Sequence, residues 1–280
     1  MSGLFVRPAS LDEALALQQA HGGRLAVIAG GTDLLVGWNL AHAPMPGCMD
    51  ISGLQELQSI EIGADTVTIG AGVSCARIAA HAGIAADFPM LVECARQTGS
   101  IAIQNRATLA GNIMNASPAA DNPPALLAYG AKITLASVGG IRCVDYDGFH
   151  VGYKRTLATA DELLTAITLP RNASGRVHFH CKVGTRRAQA ISKVALAALL
   201  DWDGDRLQSS RFAFASMAPV PLLARSLSDR LAGSRRGELR RDAIDAALAV
   251  DLQPIDDIRS TALYRRRVAN NLVIAALDAR

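Results

Sequence analysis

The chain has 280 residues, half of them hydrophobic and 19% charged, enough for two packed domains and too apolar for a disordered chain. Its net charge is +3, but residues 1–170 carry 9 basic and 14 acidic side chains (−5) and residues 171–280 carry 19 and 11 (+8). In the second half the arginines interleave with aspartates, the pattern of a solvated surface rather than of a nucleic-acid-binding face.

Ser10-Leu-Asp-Glu13 is a capping box, so a helix is predicted from there to His21, stopped by Gly22-Gly23. Leu25–Ala29 reads as a short apolar strand running into Gly30-Gly31, and a Pro/Gly-containing loop follows around Ala43–Gly47. Leu57–Ile62 and Thr66–Ala71 read as strands joined by a tight turn at Gly63-Ala64-Asp65. Ser74 is placed to cap a helix ending at Gly83, and Pro89–Thr98 reads as another helix. From Ser100 to Pro124 the chain is rich in Asn, Gly, Ala, Ser and Pro with little periodicity, the mark of a long functional loop. Ala125–Tyr129 reads as a short helix opened by prolines, and Ala131–Ser137 and Glu162–Leu169 read as strands, the second ending at Pro170. Arg171–Gly175 is a linker candidate and sets the expected domain boundary. Beyond it, Lys193–Trp202 and Arg206–Ser216 flank the hairpin signal Asp203-Gly204-Asp205. Helical patterns then run over Leu222–Leu231, Glu238–Leu252 and Ile258–Leu277. No apolar run approaches the ~18 residues that cross a bilayer, and the start MSGLFVRPAS lacks a secretion signal's pattern.

Two segments carry candidate chemistry. The first, Ala29-Gly30-Gly31-Thr32-Asp33, directly follows a strand, and paired glycines let backbone N–H groups turn around an anion. An ordinary strand-ending turn fits the same residues. The spacing is neither GxGxxG nor GxxxxGK[ST], which excludes the Rossmann and P-loop readings. The second segment is Gln104–Asp121. It offers Thr108, Asn112, Asn115 and Ser117 as hydrogen-bonding side chains, Gly111 for close approach, and Asp121 just before a helix. A polar surface loop is the alternative. Against it, Ile101, Ile103, Leu109, Ile113 and Met114 run through the segment and should bury it, and buried polar groups need partners. A polyhydroxylated cofactor supplies such partners, with Asp121 accepting from ribityl or ribose hydroxyls.

Together, Ala29–Asp33 and Gln104–Asp121 resemble the two FAD-binding signatures of the flavoprotein subunits of the xanthine dehydrogenase and carbon monoxide dehydrogenase family, which run roughly AGGTDLLP and IRNxGTIGGNIANASPAAD. The resemblance extends through Pro118–Ala128, Gly152–Thr156 and Asp161–Leu164, then Lys182–Arg187, Ser216–Pro219 and Tyr264–Val268, in the family's order. It implies an α+β fold. A two-subdomain FAD-binding domain of the vanillyl-alcohol-oxidase (PCMH) type would cover 1–174, with subdomains of about 1–55 and 56–174. A smaller α+β C-terminal domain, a three-stranded sheet with helices, would cover 175–280. The FAD pyrophosphate would lie at Ala29, Gly30, Gly31, Thr32 and Asp33 and at Thr108, Ala110, Gly111 and Asn112, with Asn115 in the same signature. Asp121 would lie at the ribityl chain, Leu163 against the adenine or flavin, and Lys182 close to the cofactor. A lysine there would offset the charge of reduced flavin; a plain surface lysine is the alternative. Four departures stand out. Ala107 and Ala110 occupy family glycine positions, where a methyl would crowd the pyrophosphate if the backbone needs positive φ. Gln104 stands for an arginine, and Val36 for a proline.

The same resemblance implies partners: a large molybdopterin-binding subunit and a small subunit with two [2Fe–2S] clusters, as a dimer of heterotrimers. Electrons would pass through FAD to NAD, a quinone or another acceptor. The five cysteines, Cys48, Cys75, Cys94, Cys143 and Cys181, lie nineteen or more positions apart, which excludes cluster or zinc runs on this chain and suits a reducing, cytoplasmic setting. His178 and His180 alternate as a metal pair would, but no third ligand is near, so they are expected on a sheet surface. There is no GxSxG elbow and no nucleophile with its base, so no catalytic side chain is assigned. Two other readings stay open: a self-sufficient FAD oxidase, and a scaffold that has lost flavin.

Overall fold

Ser10 Oγ accepts the N–H of Glu13 at 3.2 Å while Glu13 returns a bond to the N–H of Ala9 at 2.7 Å, so helix α1 (Leu11–His21) opens on reciprocal caps and ends at Gly22 as predicted. The computed structural model describes residues 3–41, 47–171 and 175–279. The loop expected around Ala43–Gly47 (Gly47 apart) and the centre of the linker expected at Arg171–Gly175 lie outside the described residues. Strands β1 (Phe5–Val6), β2 (Ala26–Ile28) and β3 (Cys48–Asp50) form a parallel sheet in the order β1-β3-β2. Helix α2 (Leu34–Ala41) follows the glycine pair; its Leu35, Val36 and Leu40 are exposed, so it lacks the one-sided apolar pattern that announces a helix.

An antiparallel sheet, order β4-β5-β10-β6-β7, is built from β4 (Ile60–Ile62), β5 (Thr66–Gly70), β6 (Lys132–Ser137), β7 (Gly140–Asp145) and β10 (Leu163–Pro170). Val67, Ile69, Ile133, Leu135, Ile167 and Leu169 alternate onto its buried face. Between β5 and β6 run α3 (Cys75–Ala80), α4 (Ala82–Asp87), α5 (Pro89–Arg96), α6 (Ile101–Gln104), α7 (Leu109–Met114) and α8 (Pro123–Tyr129). The single helix expected up to Gly83 is broken at His81, whose ring nitrogen accepts the N–H of Ile84 and starts a new helix. The stretch 100–124, expected as an irregular loop, instead holds α6 and α7. Ser100 Oγ accepts the N–H of Ile103 at 3.4 Å and Thr108 Oγ1 that of Gly111 at 3.0 Å. Helices of four and six residues are too short to show a period. Leu109 and Ile113 are buried as expected, whereas Ile101 is 77% exposed and Met114 is exposed as well. Strands β8 (His150–Gly152) and β9 (Arg155–Thr156) form a small separate hairpin.

In the second half β11 (Val177–Val183), β12 (Val194–Asp203), β13 (Arg206–Ala215) and β14 (Leu222–Leu223) pair antiparallel in that order. The expected three-stranded sheet thus gains a two-residue fourth strand. Helices α9 (Arg225–Leu231), α10 (Arg241–Asp251) and α11 (Ala262–Asp278) supply Leu227, Ile244 and Val273 to a core shared with Leu196, Leu200, Phe212 and Phe214. On the other face of the sheet, Ala197, Leu199 and Ala213 join the first core, where α8, buried at every residue, packs on β12 and β13. Among the described residues no helix is long and apolar enough to cross a membrane.

One buried cation ties α11 to this sheet. Arg265, 3% exposed, donates to the carbonyls of Lys193 (2.7 Å) and Ser216 (3.2 Å) and to Asp257 (2.7 Å). Burial pushes the Asp257 carboxyl up, but the N–H of Arg259, the Arg265 guanidinium and the N–H of Ser260 outweigh it and hold the group at about 2. Against an ordinary value of 3.8, the carboxylate contributes stability that is present above pH ~4 and lost as pH falls toward 2. Arg265→Met is expected to cost about 3 kcal/mol at pH 7, a gap that narrows in acid. Urea unfolding across that range measures it, and a variant as stable as the parent at pH 7 refutes the assignment.

Candidate functional site

The turn after β2 lays Gly30 on the peptide joining Arg106 to Ala107. A Cβ built on Gly30 would lie 2.0 Å from the Arg106 carbonyl oxygen, so only glycine fits. Gly31 adopts a φ of +71° and its carbonyl accepts the N–H of Leu35 at 3.1 Å, which carries the chain into α2. Among the described residues, the N–H groups of Gly30, Gly31 and Thr32 donate to no carbonyl. Bare amides at a glycine turn are a nest for an anion. The facing wall is pinned to the start of α3: Ala107 accepts the N–H of Cys75 at 2.8 Å, and Leu109 donates to Val73 at 3.3 Å. A cleft of about 210 Å³ lies here, lined by Ala29, Asn105, Arg106 and Thr108 and by Ser52, Gln58, Gly72, Ser74 and Arg77.

A third element bridges the two segments. Lys154, at the tip of the β8–β9 hairpin, bonds Asn115 Oδ1 and lies 3.6 Å from Asp33 Oδ2. Its own N–H reaches the Ala116 carbonyl at 3.2 Å.

Past α7 the second half of the chain closes on the segment. Ser216 donates its N–H to Pro118 at 2.8 Å, and Ser192 Oγ donates to Ala119 at 3.3 Å. Lys182 reaches from β11 to Asp121 Oδ2 at 2.8 Å and to the Gln97 carbonyl at 3.0 Å. The two side chains are 8% and 14% exposed. Burial pushes the Asp121 carboxyl up to about 6, even though Lys182 pulls it down. Asp121 Oδ1 is buried and has no partner among the described residues, a costly state for an acceptor. Next to it, buried Asn122 donates to Thr98 Oγ1 (3.2 Å) and to Asn112 Oδ1 (3.1 Å).

The structure therefore brings Ala29 to Asp33 together with Thr108 and Asn115, and links Asp121 through its neighbour Asn122 to Asn112. Ala110 is buried in α7, and Gly111 caps against Thr108. Lys182 is a buried ion-pair partner rather than a surface lysine. Leu163 lies in β10 opposite Ala136, inside the core. Neither Ala107 nor Ala110 has a positive φ, so glycine is not required at either position. Gln104 has a structural use: its Nε2 donates to the last carbonyl of α5, that of Arg96, at 2.6 Å. His178 and His180 do not lie on an open sheet surface. His178 shares a 2.8 Å hydrogen bond with the Tyr129 hydroxyl, and burial holds His180 down to about 4. Ser52, Gln58, Gly72, Ser74 and Arg77 join the cleft without belonging to either motif, and no local sequence signal marks them.

Two features suit a ligand bearing phosphate and hydroxyls: amides at a glycine turn that meet no carbonyl among the described residues, and a buried carboxylate oxygen without a donor. Fold and cleft define a nucleotide-cofactor-binding protein. Residues 1–172 match the family described as "FAD binding domain in molybdopterin dehydrogenase", and residues 179–279 match "CO dehydrogenase flavoprotein C-terminal domain". The chain is 30% identical over 273 residues to the carbon monoxide dehydrogenase medium chain of Hydrogenophaga pseudoflava, covering 97% of this chain and 94% of that one. It is 28% identical over 263 residues to the xanthine dehydrogenase FAD-binding subunit of Escherichia coli O157:H7, covering 92% and 89%. A solved structure of the Hydrogenophaga pseudoflava carbon monoxide dehydrogenase superposes with a TM-score of 0.92 at 28% identity, over 100% of this chain and 97% of that one. The chain belongs to the family of FAD-binding subunits of the molybdenum hydroxylases, and its cofactor is FAD.

A carboxyl raised from 3.8 to about 6 is favoured in its protonated form. Its contribution is full below pH ~4 and is lost as pH rises through 6. In flavin-free protein, the stability of the parent relative to Asp121→Asn is expected to fall by about 2–3 kcal/mol between pH 4 and 8, most of it between pH 4 and 6, with half of it gone near pH 5. Denaturant unfolding of both proteins across that range tests this; a flat difference would show a carboxyl that titrates normally.

Proposed function

We propose that this subunit relays electrons from the [2Fe–2S] clusters of a small partner subunit, through FAD, to NAD or another acceptor, while a large molybdopterin-binding partner oxidises the substrate. FAD, when bound, supplies reversible one- and two-electron transfer. The chain's own residues bind and orient it. Ala29, Gly30, Gly31, Thr32 and Asp33 with Thr108, Ala110, Gly111, Asn112 and Asn115 would hold the pyrophosphate. Asp121 would accept from a hydroxyl through its free Oδ1, while Lys182 keeps the other oxygen engaged and excludes water from the pair. Leu163 would act only by packing behind the cofactor. The observation that carries this reading is the contact of the two glycine- and asparagine-bearing segments at one cleft, in a chain whose second segment also ends on a buried carboxylate oxygen without a partner among the described residues.

Several features support a multi-subunit setting. The relatives include a medium chain of carbon monoxide dehydrogenase, the cysteines are too far apart for cluster ligands, and α2 exposes Leu35, Val36 and Leu40 beside Asp33 as a surface for a partner to cover. The reading includes a dimer of heterotrimers in the cytoplasm. It divides the chain after residue 174 into a flavin-binding unit, with subdomains of about 1–55 and 56–174, and a C-terminal unit; the second core is drawn entirely from residues beyond 176.

The purified chain is expected to show a flavin absorbance spectrum without bound iron and to turn over no substrate alone. A preparation that stays colourless with added FAD would favour a scaffold, and substrate turnover by the isolated chain would favour an oxidase. Asp121→Ala is expected to weaken FAD retention by roughly tenfold, the order of a lost hydrogen bond to a charged group; unchanged flavin occupancy after gel filtration would remove Asp121 from the site.

A further inference from the structure

The cleft beside Ala29 and Thr108 carries charge that neither glycine loop accounts for. Arg77 on α3 and Arg106, just before α7, both line it. Among the described residues neither makes an ion pair. Arg77 is also held in place. Its Nη1 donates to Gln58 Oε1 at 3.1 Å, and Gln58 Nε2 donates to the Ser52 carbonyl at 3.4 Å. A Cβ on Gly72 would lie 2.3 Å from Gln58 Nε2, so the missing side chain at 72 is what lets Gln58 lie there. Two guanidiniums facing one cleft repel each other unless an anion lies between them. A planar guanidinium matches phosphate oxygens two at a time.

We propose that Arg77 and Arg106 are a phosphate-recognition pair that selects a diphosphate-bridged flavin over phosphate-free flavin, with Gln58 as the positioning residue for Arg77. The proposal rests on the flavin reading above and deepens it, from which cofactor binds to how it is chosen. Ala29, which opens the glycine turn, lines the same cleft, and backbone amides there would add only neutral dipoles. The arginines add full charge, so their share of the affinity is the part that salt screens.

The test is binding of FAD, ADP and riboflavin to flavin-stripped protein, at low and high salt. The double variant Arg77→Gln/Arg106→Gln should weaken FAD and ADP by about tenfold or more, the order expected for charge-assisted bonds. It should leave riboflavin unchanged and flatten the salt dependence of FAD binding. Arg77→Lys/Arg106→Lys, which keeps the charge but loses the planar fork, should bind FAD and ADP with an affinity between those of the parent and the glutamine variant and keep the salt dependence. Gln58→Leu should weaken FAD in the parent and have no effect once Arg77 is glutamine. Both arginines are exposed, so the variants should unfold at the parent's temperature, which is checked directly. Unchanged FAD and ADP affinity in the double variant overturns the proposal, as does an equal loss of riboflavin and FAD. A parent chain that binds neither FAD nor ADP would instead overturn the flavin reading itself.

Discussion

Gly30 and the Arg106–Ala107 peptide touch backbone to backbone, with no room for even a methyl group between them. The rest of the site depends on that contact. It makes two segments seventy-six positions apart in the chain the opposite walls of one cleft. Among the described residues, the amides of Gly30, Gly31 and Thr32 also meet no carbonyl. Folded proteins rarely leave such groups unmet. A turn that does so, in a chain that also buries a carboxylate oxygen without a partner among the described residues, is organised around something other than its own stability.

The second half of the chain serves as a clamp on that arrangement. Ser216 and Ser192 take hold of Pro118 and Ala119, and Lys182 engages Asp121 two residues farther on. Arg265 then binds the carbonyls of Lys193 and Ser216, so the clamping residues are themselves fixed by a cation from the last helix. The buried Asp121–Lys182 pair is costly to assemble, and burial wins over the lysine in setting the carboxyl's proton affinity. Such a balance suits a group meant to meet a hydroxyl-bearing ligand.

Much of this was legible from local signals. Ser10 with Glu13, the turn at Gly63, the hairpin at Asp203-Gly204-Asp205 and both glycine-bearing segments each declare themselves through a few adjacent residues. What stayed hidden was either too short or too distant. Helices α6 and α7 are about one turn each, and α2 is apolar without a buried face. Arg77 and Gln58 enter the cleft through tertiary packing alone. The sequence also raised a concern at Ala107 and Ala110 that the backbone removes. His178 and His180 showed the opposite: their alternation was visible, but not that α5 and α8 would cover them. Leu163 has the burial of a core residue and nothing that distinguishes it as more.

The register partners Ala197 and Ala213 present only methyl groups on the sheet face against which α8 is packed. That helix begins two residues after Asp121, with no slack between them. These two alanines, with Leu199 on the same face, thus help to fix where the start of α8 and the carboxylate just before it come to rest. A substitution that enlarges or trims this contact would move the start of α8, and Asp121 with it, without touching any residue that lines the cleft.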